Sequence, residues 1–176
     1  MRIQFECRSL TVFGLVFALA ACEPGVVSKG SSFQRNYSIA RKALETGNYD
    51  MAIKGYGAMI PEAGPFEPRL RLEYAHALLR AGRFDEASSV SGALAQTLKG
   101  SDRAAALAVK GAAEHEKAIL AMNNGDFGSG TANSLHAASS AIDEMLKIDP
   151  EMDPMGAMAS RRSDIREELS RVNKSG

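Results

Sequence analysis

The feature that most constrains the fold of this chain is a pattern that occurs twice. Gly47-Asn48-Tyr49-Asp50-Met51-Ala52 and Gly82-Arg83-Phe84-Asp85-Glu86-Ala87 share the form Gly-x-aromatic-Asp-x-Ala, 35 residues apart. Upstream of each lies an Ala-x-x-Ala/Leu-Leu stretch: Ala40, Ala43 and Leu44, then Ala75, Leu78 and Leu79. Small apolar residues three and four apart share one face of a helix. A glycine between two such faces ends one helix before the next begins. Recurrence near every 34 residues therefore predicts helix–turn–helix units that bury their apolar faces against their neighbours.

The remaining periodicity agrees. The spacing predicts helices over about 36–46, 50–60, 68–81, 85–98, 102–123, 131–148 and 154–172, with no strand of useful length. Ser101 or Asp102 is the expected N-cap of the long fifth helix, and Pro154 the expected first residue of the last one. Alanine and leucine dominate the apolar set, there is no tryptophan, and aromatic residues make up 6% of the chain, a composition that favours helices. The predicted class is all-α.

The repeated residues resemble tetratricopeptide repeats. Ala40 and Ala75 match that family's small residue in the first helix of the unit. Gly47 and Gly82 match the turn glycine, and Tyr49 and Phe84 the aromatic at the start of the second helix. Ala52 and Ala87 match its small residue there, and Tyr56 its later aromatic. A third, irregular copy has Gly125-Asp126-Phe127 at its turn, 43 residues after Gly82, and closes at Ile148-Asp149-Pro150. Either about eight residues are inserted around 124–131, or its first helix has lengthened. The resemblance implies an array of about three repeats over 36–150, followed by a capping helix and tail over 151–176.

The N-terminus points to a compartment. Arg2 and Arg8 precede an apolar run from Leu10 to Ala21, too short to span a bilayer, which takes about 20 apolar residues, but suited to a secretory signal. It ends Leu19-Ala20-Ala21-Cys22, which resembles the lipobox of bacterial lipoproteins. The resemblance implies a signal peptide over 1–21 and a mature chain starting at a lipidated Cys22. Glu23, in place of the aspartate that typically retains lipoproteins in the inner membrane, favours the outer membrane. Residues 22–35, rich in Gly, Ser and Pro, read as a flexible lipidated tether.

Charge and composition exclude several functions. The full chain balances 21 basic against 21 acidic residues, and the mature chain has 19 against 20, so no nucleic-acid surface is expected. Cys7 leaves with the signal and Cys22 carries lipid, so no thiol remains for redox, zinc or nucleophilic chemistry. His76, His115 and His136 form no His-Glu-x-x-His pair. Gly128-Ser129-Gly130-Thr131 lacks the lysine and the preceding strand of a phosphate loop. Met152, Met155 and Met158 have the spacing of an apolar helix face more than of a copper site. No enzyme activity, cofactor, metal or small-molecule substrate is expected.

Tetratricopeptide arrays line a concave groove with certain first-helix positions. Here these map to Gln34, Tyr37, Arg41, Leu44 and Glu45, then Arg69, Leu72, His76, Leu79 and Arg80, with His115 and Ile119 as third-repeat candidates. Tyr37, Arg41, Arg69, His76 and Arg80 are the expected peptide-groove residues. The three arginines give the face a basic tilt suited to a carboxylate or acidic segment. The expected function is a membrane-anchored periplasmic scaffold or adaptor that binds a protein or peptide in the cell envelope, of the kind that assists pilus and secretion assembly. Two alternatives are a structural subunit of an outer-membrane or envelope complex and an accessory regulator of an envelope enzyme.

Overall fold

The computed structural model describes residues 24–175. These form seven α-helices: α1 (Pro24–Glu45), α2 (Tyr49–Met59), α3 (Glu67–Arg80), α4 (Phe84–Thr97), α5 (Gly100–Asn123), α6 (Ser129–Ile148) and α7 (Ala157–Ser175). Short 3₁₀ turns occupy Ile60–Glu62, Gly64–Phe66 and Pro150–Met152. There is no strand among the described residues. Each helix packs chiefly on its neighbours in sequence, and α3 also meets α5.

The three glycine turns share one geometry. Gly47, Gly82 and Gly125 have φ of +82°, +75° and +81°. The residue after each donates its N–H five residues back: Asn48 to Ala43 O, Arg83 to Leu78 O and Asp126 to Ala121 O, at 2.8–2.9 Å. This is the left-handed helix stop that glycine adopts without a Cβ clash. After the first turn, the Asn48 side chain accepts the N–H of Met51 and caps α2.

Small residues then let the helices close up. Ala40, Ala52, Ala75 and Ala87 are all buried, as is the whole Tyr56 side chain. A Cβ built at Gly55 would stand 2.9 Å from Ala40 Cβ, and one at Gly111 only 2.6 Å from Ile142 Cγ1. Tyr49 and Phe84, which open α2 and α4, are half-buried. Three successive cores result. Ala40, Ala43, Tyr56, Leu70 and Leu78 fill the first, with Phe33 and Tyr37 packed on it. Leu94, Leu107 and Met145 anchor the second, and Leu135, Ile142, Ile165 and Val172 the third. The polar face of α7 is left outward.

Three expectations need correction, and one open alternative is decided. The segment read as a tether is largely helical, because α1 begins at Pro24. Proline suits the first helical turn, and docking of Phe33 and Tyr37 on the first core outweighs the weak propensity of the Gly/Ser stretch. The third unit differs by a longer first helix: α5 has 24 residues against 14 for α3. Neither Ser101 nor Asp102 caps α5, which begins at Gly100 after extended backbone and carries no side-chain cap. Pro154 does not open α7. It lies in a turn that ends at Gly156, φ +71°, and the Asp153 carboxylate caps the helix by accepting the N–H groups of Met158 and Ala159 at 3.0 and 2.9 Å. Those bonds hold the Asp153 pKa below its ordinary value. Cys22 and residues 1–21 lie outside the described residues.

Candidate functional site

On α1, positions 37, 41, 44 and 45 recur at helical spacing. On α3, positions 69, 72, 73 and 76 do the same. Each set therefore shares a face. Both helices pack on α2, and these faces flank a groove of about 650 Å³. Arg41, Leu44 and Glu45 line it from α1. Arg69, Leu72, Glu73 and His76 line it from α3, and Pro65, Pro68, Leu98 just after α4 and Asp102 in the first turn of α5 complete the lining. Six positions expected from sequence thus meet in one place.

Glu73 organises the groove. Its Oε1 accepts the Tyr37 hydroxyl at 3.3 Å and Arg41 Nη1 at 3.3 Å, and Arg69 Nη2 stands 3.7 Å away. Arg41 Nε also donates to Glu45 Oε1 at 2.7 Å. The bonds to Glu45 and Tyr37 and the charge of Glu73 raise the Arg41 pKa further above its ordinary value. His76 keeps an exposed edge, yet the groove walls crowd it. Desolvation lowers its pKa, Glu73 opposes the shift, and Arg41 adds to it. The exposed surface of the ring and its desolvation are compatible, because a side chain in a concavity has many neighbours and still touches water.

The basic tilt expected from sequence is absent. Two arginines, Arg41 and Arg69, face three carboxylates, Glu45, Glu73 and Asp102, around the groove. With His76 neutral, the lining carries net −1. Glu73, on the same helix face as Arg69, offsets the charge of the arginines. The Arg69–Glu73 spacing of four residues was the available signal.

Other expected residues lie elsewhere. Tyr37 bonds to Glu73, but its ring lines a neighbouring apolar pocket of about 340 Å³ with Phe33, Phe66, Arg69 and Leu70. Its ring also meets Tyr56 edge-on, with centroids 6.1 Å apart. Gln34 is exposed and lines neither cavity. Leu79 packs on the first core. Arg80 is outside the groove: its guanidinium lies over the Tyr49 ring, 5.6 Å from the centroid, and Nη2 donates to Tyr49 Oη at 3.0 Å. Arg80 and Tyr49 thereby join α3 to the start of α2.

His115 also has a separate role. It is buried on α5. Arg161 Nη1 donates to its Nδ1 at 2.9 Å and to Glu116 Oε1 at 2.9 Å. With Nδ1 accepting, the proton sits on Nε2, which donates to Glu168 Oε2 at 2.7 Å. This neutral imidazole fastens α7 to α5. Ile119 lines a shallow depression beside it with Ser160 and Asp164. His136 is exposed on α6.

Among the described residues no group of three or more His, Cys, Asp or Glu side chains could hold a metal ion. Met145 and Met158 pack into the cores, while Met155 is exposed. No helix among the described residues is long and apolar enough to cross a membrane. No protein-family model matches the chain, and neither a curated protein nor a solved structure matches it.

Proposed function

We propose that the chain is a non-catalytic protein-binding scaffold, built as a tetratricopeptide-like array and held at the cell envelope by lipid on Cys22. The observation that carries the binding role is the α1–α3 groove, lined by half-buried Leu44, Leu72 and Leu98 together with charged side chains. Apolar concavities with a few fixed polar groups are the surfaces on which partners dock. The array reading is supported by three like glycine turns, by buried small residues at the repeat positions and by packing between sequence neighbours. The anchor and a position facing the periplasm rest on the sequence of residues 1–22, and the choice of the outer membrane rests on Glu23. A place in pilus or secretion assembly is an analogy of architecture.

The test is photo-crosslinking in living cells from positions 41, 72 and 76, with mass spectrometry of the adducts. Groove positions are expected to give one recurrent protein adduct that outward positions on α7 do not. Adducts from α7 alone would overturn the groove. For the anchor, Cys22→Ser is expected to abolish labelling by a palmitate analogue, and persistent labelling would refute lipidation there.

A further inference from the structure

The chemistry of the occupant follows from which charges in the groove are already spent. Arg41 is held by Glu45 at 2.7 Å and by Glu73 at 3.3 Å, and Arg69 leans on Glu73 at 3.7 Å. A partner carboxylate that claimed these arginines would strip Glu73, whose side chain is only 14% exposed. A partly buried charge left without its partners is costly. Asp102 stands differently. It lines the groove from the first turn of α5 and makes no hydrogen bond or ion pair among the described residues. The helix N-terminus steadies its charge without cancelling it. It is the unmatched charge of the groove.

Past Arg69 the surface turns apolar. Phe66 is 63% exposed, and its ring lies 6.2 Å from that of Phe33. Both wall the pocket that Tyr37 and Leu70 complete, and Arg69 borders both this pocket and the groove. A single exposed phenylalanine is ordinary. One that walls an apolar pocket sharing Arg69 with a groove offers an anchor point.

From these relations we propose that the groove takes an extended peptide segment with a basic side chain set against Asp102 and a large apolar side chain in the Phe33–Phe66 pocket. The inference rests on the protein-binding reading of the groove and reverses the acidic partner expected from sequence.

The test uses the full chain in mild detergent and two fluorescent, end-blocked peptides of leucine, proline and phenylalanine. One carries two lysines and the other two glutamates at the same positions. By fluorescence anisotropy the lysine peptide is expected to bind saturably and at least about tenfold more tightly than the glutamate peptide. Asp102→Asn and Phe66→Ser, both at exposed sites, are each expected to weaken it about fivefold, with circular dichroism unchanged. Equal or tighter binding of the glutamate peptide, or no effect of Asp102→Asn, would overturn the inference and leave the scaffold reading standing. If neither peptide binds while the groove crosslinks in cells, the inference alone fails. If the groove also yields no crosslinks, both fail.

Discussion

Arg41 on α1 and Glu73 on α3 meet across the groove at 3.3 Å, although 32 residues separate them in sequence. The same carboxylate takes the Tyr37 hydroxyl, so one side chain holds both walls in register.

Replacing Glu73 by Gln removes the charge that occupies Arg41 and Arg69. Arg41 is largely exposed, which discounts the ion pair, but Glu73 is mostly shielded. We expect a stability loss of about 1 kcal/mol by urea unfolding. The variant groove also has one negative charge fewer, so the glutamate peptide gains affinity. A loss of stability with no change in peptide preference would show that Glu73 acts on the fold alone.

Gly111→Ala tests the close approach of α5 to α6. The added methyl would meet Ile142 Cγ1 at 2.6 Å in a fully buried site. Overpacking of this kind costs about 1–3 kcal/mol. Ile142→Ala alone opens a cavity and costs about 2–5 kcal/mol. The double variant should lose less than both effects added together, because the new methyl occupies space that the isoleucine vacates. Strict additivity in chemical denaturation would contradict the contact.

His115→Ala cuts the fastening between α5 and α7. It leaves Glu168 and the Arg161 group short of a buried partner. We expect about 2 kcal/mol of destabilisation. Amide exchange should quicken in α7 before it does in α1 or α2. Uniform acceleration across the chain would mean that α7 does not open by itself.

His76 gives the groove a pH dependence. Its pKa falls on folding below the ordinary value of 6.5, with desolvation as the main cause. The unfolded chain then binds more protons than the folded one across the interval between the two values. This contribution to stability is therefore full above pH 6.5 and is lost as pH falls through the lowered value. An NMR titration should place the His76 midpoint below the ordinary 6.5, and His76→Gln should flatten the acid limb of the stability curve. A His76 midpoint at or above 6.5 would reject the desolvation argument.

Much of the helical order was legible because glycine and alanine have few substitutes where they occur. Gly82 sits at φ +75°, and a side chain there is strained. Ala40 lies against Gly55 at a distance that admits nothing larger. Such residues mark turns and close contacts directly in sequence. The start of α1 was not legible, since Gly30, Ser31 and Ser32 argue locally against a helix that tertiary packing of Phe33 supports. The charge of the groove was also hidden. Arg80 looked like a groove residue until its stacking on Tyr49, 31 positions away, placed it elsewhere. Asp102 entered the site only because α5 begins beside α3. Face-by-face counting finds the residues of one helix, but it does not see what an adjoining helix brings.

The unbroken course of α1 also has a mechanical meaning. Its 22 residues make a rod of about 33 Å, and the groove wall at Arg41, Leu44 and Glu45 occupies one end of it. Whatever fixes the opposite end therefore sets the bearing of the groove as a handle sets the bearing of a blade. A swivel at residue 24 would turn the whole surface, whereas a bend within the rod would first have to break its helix. With that far end held, a partner would meet the groove at a constant tilt.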